Sequence, residues 1–238
     1  MAMASISTPG QIERAIYIDF EGRGRSQKTH TAPDPRFVGV LVDGIFTFTA
    51  LGDCPVAEAL RHAPRCAGAA TLPHFLEAIT RRAHRESRKI VYWSIREPTV
   101  FSDFGFPLGE LGFDVKPSAQ KEWKTVHAMF QEKRKSLKDP SISKTRKNEA
   151  RRIVDLGLLY HIASETGFHF PPAYPGGKVG KWSGAIEKML VTRDYYCALT
   201  ATVKSHYTRL LHHNQNDVLA MQHVLHVLST RGQILSGK

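Results

Sequence analysis

Cysteine is scarce in this sequence, which has three among its 238 residues: Cys54, Cys66 and Cys197. An odd number of cysteines that are not closely paired argues against a disulfide-bonded secreted scaffold and favours a reducing compartment. The sequence also lacks a hydrophobic run long enough to span a membrane, and it has no apolar signal segment. We therefore expect a cytoplasmic protein that does not engage a membrane.

Acidic side chains are few relative to basic ones. The sequence has 33 Lys and Arg against 22 Asp and Glu, which gives a formal net charge of +11 and a pI near 9.7. A surplus of this size favours a polyanionic partner, of which nucleic acid is the commonest, over a generic basic surface. No protein partner is indicated. The length and the 42% hydrophobic content suit one α/β domain with elaborations.

Two carboxylates lie at the end of an apolar segment near the N-terminus, in the sequence Ile16-Tyr17-Ile18-Asp19-Phe20-Glu21. Side chains alternate between the two faces of a strand, so Asp19 and Glu21 project from the same face. Carboxylates this close repel each other unless a proton or a cation lies between them. Mg²⁺ and Mn²⁺ bind oxygen ligands of this kind, so the pair is a candidate metal site. The alternative interpretation is that the two carboxylates are simply solvated at the end of a strand.

Hydrophobic patterning predicts strands alternating with helices along the rest of the chain. A hairpin turn at Asp43-Gly44 separates two of the strands, and Thr71 is a candidate helix cap. The predicted strands are 12–20, 36–42, 45–49 and 89–95, and the predicted helices are 71–87, 120–137, 183–190 and 199–230. Residues 152–163 have the composition of a core segment.

A third acidic residue, Glu97, follows the strand predicted over 89–95. Reactive groups of α/β folds often lie at this place, where a buried strand gives way to the next element. Asp103 is the alternative acidic residue in this region.

A basic segment covers residues 114–150 and looks like a helical insertion. From Asp114 to Arg152 the sequence has twelve Lys or Arg and five Asp or Glu, or about +7 of the total charge. We predict that this segment contacts the phosphate backbone of nucleic acid, with a solvated helix face as the alternative. The residues predicted to make this contact are Lys133, Arg134, Lys135, Lys144, Arg146 and Lys147.

The last predicted helix contains the sequence His212-His213-Asn214-Gln215-Asn216-Asp217-Val218. Asp217 lies one turn after His213 and at the edge of the apolar stripe, so it points partly inward. An inward carboxylate needs a partner, and a metal shared with Asp19 and Glu21 would supply one. A purely structural hydrogen-bonding role for Asp217 is the alternative.

The Asp-x-Glu strand and the His-Asn-x-x-Asp-Val helix together resemble the DEDD 3′–5′ exonucleases of the ribonuclease H-like superfamily. The likeness is greater to a branch of predicted ribonuclease H-like nucleases that has been less characterised. It extends over residues 16–228, with residues 92–99 in the place of the middle motif. Relatives more often have Asp where this chain has Glu97, and they usually have Tyr where it has His213.

This resemblance implies a metal-dependent nuclease that hydrolyses phosphodiester bonds of DNA or RNA, as a 3′–5′ exonuclease with two Mg²⁺ or Mn²⁺ ions. It assigns Asp19, Glu21, Glu97 and Asp217 as metal ligands. His213, or alternatively His212, would orient the attacking water. A catalytically weak nucleic-acid-binding module on the same fold is the alternative function.

The fold implied by the resemblance is a ribonuclease H-like α/β domain over residues 12–230, with the basic helical insertion inside it. We expect a mixed sheet of about five strands, the first three antiparallel, with helices on both faces. The carboxylates should gather at one edge of the centre of this sheet. Tyr174 and Trp182 are candidates for stacking on unpaired bases.

Overall fold

A computed structural model describes residues 5–6, 8–22, 34–52, 55–172, 174, 178–232 and 235–236 of the protein. The strands within these residues are β1 (Ser5–Ile6), β2 (Ile16–Glu21), β3 (Phe37–Val42), β4 (Ile45–Leu51), β5 (Cys66–Ala70), β6 (Ile90–Tyr92), β7 (Gly112–Asp114) and β8 (Leu235–Ser236). The α-helices are α1 (Pro9–Arg14), α2 (Pro55–Leu60), α3 (Leu72–Arg85), α4 (Arg96–Asp103), α5 (Val115–Glu122), α6 (Lys124–Lys138), α7 (Lys144–Glu165), α8 (Val179–Leu190) and α9 (Ala201–Thr230).

Six of the strands form one mixed sheet in the order β5-β4-β3-β2-β6-β7, and β1 pairs with β8 separately. Strands β2, β3 and β4 are antiparallel to their neighbours in this group, whereas β6 runs parallel to β2, β7 to β6 and β5 to β4. The protein is therefore an α/β protein with a mixed sheet flanked by helices, which confirms the predicted class. The sheet has one strand more than expected.

Strand β2 lies inside the sheet and separates two layers of core. Ile16, Ile18 and Phe20 pack with residues of α3 and α4 on one face. Tyr17, on the other face, packs with residues of α9, and its hydroxyl donates to the carbonyl oxygen of Ile12 at 2.9 Å. Because side chains alternate along a strand, this second face also carries the two carboxylates of β2.

The strand predicted to begin at Ile12 begins later, because residues 9–14 form α1. Thr8 accepts from the backbone N–H of Gln11, and the Gln11 side chain accepts from the backbone N–H of Thr8. This reciprocal capping, with Pro9 at the first helical position, stabilises one helical turn before the chain becomes extended at Ile16.

Strands β5 and β7 were not predicted, and both have little of the pattern that marks a strand. The sequence of β5 is Cys-Ala-Gly-Ala-Ala, which has neither β-branched nor aromatic residues, and β7 is only three residues long. The strand predicted over 89–95 is shorter than expected, since β6 ends at Tyr92 and α4 begins at Arg96.

The segment 114–150 forms α5, α6 and the start of α7. Trp123 and Phe130 are buried in the same core cluster as residues of α9, so this segment packs against α9. Helix α7 begins at Lys144, where the Ser143 side chain caps it. Helix α7 breaks at Gly157, whose φ of 84° is accessible mainly to glycine.

No helix in the described part of the chain has both the length and the apolar composition that a membrane crossing requires.

Candidate metal centre

The site is built at the carboxyl ends of β2 and β6, where the sheet changes from antiparallel to parallel pairing. Asp19 and Glu21 lie on the face of β2 that α9 covers, and Glu21 is only 8% exposed. In the adjacent strand Asp19 pairs with Gly39 and Glu21 pairs with Phe37. The carboxyl edge of an open sheet at such a switch point is where α/β proteins bind ligands.

Glu97 reaches the same edge because β6 runs parallel to β2. It lies in the first turn of α4 and is 2% exposed. Its Oε2 accepts from the Ser94 hydroxyl at 2.7 Å and from the Ser94 backbone N–H at 3.2 Å. Burial raises the pKa of Glu97, and the hydrogen bond from the Ser94 hydroxyl offsets part of this increase.

Helix α9 brings His213 and Asp217 to the two carboxylates of β2. The Nε2 atom of His213 lies 3.6 Å from Oε1 of Glu21 and 3.5 Å from Oδ2 of Asp217. The three side chains are 10–19% exposed, so the imidazole lies between two poorly solvated carboxyl groups.

All four predicted carboxylates have pKa values above their ordinary range. Burial raises the pKa of Asp19 strongly, and the charges of Glu21, Asp217 and Glu97 raise it further, so the four groups share one electrostatic site. Burial raises the pKa of Glu21 to about 7, although His213 acts to lower it. Burial also raises the pKa of Asp217. The nearby His213 and a hydrogen bond from Tyr174 offset part of this increase.

Glu21, His213 and Asp217 are arranged so that they could hold a metal ion. Each offers a ligand atom, and these atoms all lie within 4.8 Å of one another. A cation here would favour the ionised carboxylates against the burial that raises their pKa values, and against the repulsion from neighbouring carboxylates at Asp19 and Glu21. The donor set fits a divalent cation.

Two site residues were not recognised from the sequence. The side-chain amide of Asn214, which is fully buried, donates to Asp19. The hydroxyl of Tyr174 donates to Oδ1 of Asp217, and the Tyr174 ring lies 5.1 Å from the His213 ring. The sequence signal for Asn214 is its place in the His-Asn-x-x-Asp-Val motif, and nothing in the sequence links Tyr174 to Asp217.

The stacking role predicted for Trp182 is wrong, because Trp182 is 4% exposed and its ring stacks on His206. Tyr174 packs instead in an aromatic cluster with Tyr160 and Phe170, with ring centroids 5.4 and 4.5 Å away. Its hydroxyl is committed to the carboxylate site.

The two alternative residues lie away from the cluster. Asp103 is exposed at the last position of α4, about two turns from Glu97. His212 is exposed on α9, and its carbonyl oxygen accepts from the Asn216 amide at 2.6 Å. The geometry therefore favours Glu97 over Asp103 and His213 over His212.

The six basic residues predicted to contact nucleic acid lie on the facing ends of α6 and α7. Lys133, Arg134 and Lys135 are in the last turns of α6, and Lys144, Arg146 and Lys147 are in the first turn of α7. Four of the six are exposed and two, Lys133 and Lys147, are half-buried.

A cavity of about 510 Å³ between α6 and α7 is lined by Lys133 and Arg146, together with Glu132 and Glu149. The Nζ atom of Lys133 lies 3.5 Å from Glu132. Part of the positive charge of this hairpin is therefore offset locally.

Comparisons with family models, with curated proteins and with solved structures found no match for this chain.

Proposed function

We propose that this protein is a metal-dependent nuclease that hydrolyses phosphodiester bonds of DNA or RNA from the 3′ end, with two Mg²⁺ or Mn²⁺ ions. The observation that carries the proposal is the convergence of four carboxyl groups, from β2, α4 and α9, at one edge of the sheet. The groups are Asp19, Glu21, Glu97 and Asp217.

A structural role explains this cluster poorly. Buried carboxylates that serve stability are normally matched by cations or hydrogen-bond donors, and unmatched ones cost folding free energy. Here His213 and Arg96 lower the pKa of Glu21, yet that pKa still lies near 7. Divalent cations with oxygen ligands would balance the remaining charge, and the predominance of carboxylates favours Mg²⁺ or Mn²⁺ over softer metals.

Asp19, Glu21, Glu97 and Asp217 would hold the two cations, which would supply an activated water and neutralise charge on the leaving oxygen in phosphodiester hydrolysis. The residues of this chain would arrange the rest. His213, whose Nε2 is 3.5–3.6 Å from Glu21 and Asp217, would orient a water and accept its proton rather than bind a cation itself. Tyr174 holds Asp217 by a hydrogen bond and packs beside the imidazole, which fixes both groups.

The fold supports the same proposal. A mixed sheet in which β2, β3 and β4 are antiparallel, with carboxylates at the carboxyl end of β2, agrees with the sheet that the ribonuclease H-like resemblance implies. We propose on this basis that residues 12–230 form a ribonuclease H-like domain.

Nucleic acid is the proposed partner because of charge. The net charge of +11 favours binding to phosphates, and the α6–α7 hairpin presents its basic residues at the surface. Such contacts give affinity without reading sequence, which suits an enzyme that degrades strands of any sequence.

A nucleic-acid-binding module with little catalysis is the second candidate. The observation that favours it is that the basic residues of the hairpin lie on α6 and α7, whereas the carboxylates lie on β2, α4 and α9. Binding by charge does not require the carboxylate site to be active.

A cleavage assay distinguishes the two candidates. The full-length protein is incubated with single- and double-stranded DNA and RNA, labelled at the 5′ end or at the 3′ end, in Mn²⁺, Mg²⁺ or chelator. A 3′–5′ exonuclease converts 5′-labelled strands into a ladder of shorter products and releases the 3′ label as mononucleotide, and chelator stops both reactions. Binding without cleavage in either metal would leave the binding module as the function.

A further inference from the structure

Asn214 lies on α9 between the two metal-site residues of that helix and is completely buried. Its Nδ2 donates to the backbone carbonyl oxygen of Asp19 at 2.9 Å and to Oδ2 of the Asp19 carboxylate at 2.7 Å. A side-chain amide has two N–H donors, and both are used on one residue that is 195 positions away in the sequence.

The orientation of this amide follows from its surroundings. Both atoms of Asp19 that it contacts are acceptors, so the nitrogen of the amide has to face them. The Oδ1 atom of Asn214 then points away and has no hydrogen-bond partner among the described residues. A buried acceptor without a partner costs free energy, so the position is not optimised for stability.

Strand β3 leaves space for this amide by having glycine opposite Asp19. A Cβ atom at Gly39 would lie 1.4 Å from Oδ1 of Asn214 and 2.9 Å from the ring of Phe46. The first distance is far below any van der Waals contact. Any residue other than glycine at this position would therefore displace the Asn214 side chain from Asp19.

We propose that Asn214 is a positioning residue that fixes the Asp19 carboxylate for binding of a divalent cation, and that Gly39 provides the space in which it does so. The inference rests on the proposed function, since it concerns a ligand of the same site. By holding Oδ2 of Asp19, the amide fixes the rotation of the carboxylate. The position of the other carboxylate oxygen, Oδ1, is thereby fixed as well. Groups that orient metal ligands in this way typically contribute about 10- to 100-fold to metal affinity.

The test compares Asn214→Ala, Gly39→Ala and the double variant with the wild-type protein. The Mn²⁺ dissociation constant is measured by calorimetric titration, and the melting temperature is measured in chelator. Asn216→Ala is the matched control, because Asn216 lies on the same helix and its amide donates to the His212 carbonyl rather than to Asp19.

We expect Asn214→Ala and the double variant to bind Mn²⁺ about tenfold or more weakly than wild type, and Asn216→Ala to bind it normally. Gly39→Ala should have both a low melting temperature and weak Mn²⁺ binding. The double variant should melt at a higher temperature than Gly39→Ala, because removal of the Asn214 amide relieves the main clash, yet its Mn²⁺ affinity should not recover. Recovery of stability without recovery of Mn²⁺ binding would show that Asn214 positions Asp19 for the metal and does not act only through packing.

Normal Mn²⁺ affinity in Asn214→Ala would overturn the inference, as would recovery of affinity together with stability in the double variant. If Gly39→Ala does not fold, Asn214→Leu decides the question, since leucine keeps the branched shape and removes both donors. A wild-type protein that binds no Mn²⁺ would contradict the proposed function itself. A wild-type protein that binds Mn²⁺ with the same affinity as these variants would contradict only the role of Asn214.

Discussion

Two groups of acidic residues in this protein have opposite environments. At the surface, Asp43 and Glu86 lie among arginines of α3 and of the loop that follows it. Arg88 contacts both, with its Nη1 2.7 Å from Asp43 and its Nε 2.7 Å from Glu86, and Arg82 lies within 3.6 Å of both. Hydrogen bonds from Arg88 to Asp43 and from Arg85 to Glu86 lower the pKa values of these two carboxyl groups.

The four carboxyl groups of the candidate metal centre have the reverse character. They come from three separate elements, and burial raises the pKa of every one. Neighbouring carboxylates raise the pKa of Asp19 further, whereas arginines surround the surface group.

The comparison shows how a site can be distinguished from an ion-pair network in the same chain. The surface group is already neutralised by its own arginines, so it needs no ligand. The positive groups around the buried carboxylates do not balance their charge fully. A bound cation would supply the missing positive charge. The positions of charges and donors, more than the number of acidic residues, therefore indicate function.

The largest expected effect is on nuclease activity, which should depend on the buried carboxylates and not on the surface carboxylates. Asp19→Asn keeps the shape of the side chain and removes its charge, so it should reduce cleavage to below detection while leaving nucleic-acid binding largely intact. Its melting temperature in chelator should equal or exceed that of wild type, because one repulsive charge is removed. Cleavage is measured on end-labelled strands in Mn²⁺, and binding is measured by fluorescence anisotropy.

Asp43→Asn is the matched control for that variant, since it removes a carboxylate that the surface arginines already neutralise. It should cleave normally and lose a little stability that high salt also removes. Equal loss of cleavage in both variants would show that the contrast between the two groups has no bearing on activity.

A second, intermediate effect contrasts basic residues of the α6–α7 hairpin with basic residues elsewhere on the surface. Changing Lys133, Arg134 and Lys135 to Ala should weaken binding to all nucleic-acid sequences alike. It should also flatten the dependence of log K on log salt by roughly 0.7 to 0.9 for each phosphate that the variant no longer neutralises. Binding is measured as a function of salt in chelator, which excludes cleavage.

The control for the hairpin removes the same charge from α3 and the end of α2, where Arg61, Arg81 and Arg85 pair with glutamates. This control should leave the salt slope nearly unchanged. An equal change of slope in both triple variants would mean that net charge alone, and not the hairpin, determines binding.

The smallest expected effect is on stability and has opposite pH dependence in the two groups. The pKa of Glu21 is raised to about 7 from an ordinary value of 4.5, so its contribution is fully favourable below pH 4.5 and is lost as pH rises through 7. Relative to Glu21→Gln, metal-free wild type should lose on the order of 2 kcal/mol of stability between pH 4.5 and 7. The lowered pKa values of Asp43 and Glu86 give contributions that are lost as pH falls.

Chemical unfolding in chelator at several pH values measures this difference, and the wild type and Glu21→Gln are compared at each pH. The prediction is wrong if the stability difference between the two proteins does not change with pH. Saturating Mn²⁺ should remove the destabilisation at pH 7, because the cation binds the deprotonated carboxylates.

Some of this architecture was predictable from local sequence. The alternation of Ile16, Ile18 and Phe20 with polar residues predicted the shared face of Asp19 and Glu21, and the four-residue spacing predicted that His213 lies one turn from Asp217. Both patterns depend only on strand and helix periods, which tertiary structure seldom changes.

Other features were not predictable, because they depend on contacts between distant parts of the chain. The need for glycine at position 39 arises only because the folded chain brings the Asn214 side chain against it. Likewise, the contact of Tyr174 with Asp217 joins an irregular segment to α9. Strand β5, made of small residues, is defined by its pairing with β4 rather than by its own propensity.

The central claim is that the buried carboxylates bind two divalent cations, and diffraction from crystals soaked in Mn²⁺ tests it most directly. Anomalous difference maps should have two peaks roughly 3.5–4 Å apart. The peaks should be bounded by Asp19, Glu21, Glu97 and Asp217, and neither should be present in crystals of Asp19→Asn. A site without any peak, or with Mn²⁺ held only at the surface group of Asp43 and Glu86, would contradict the account.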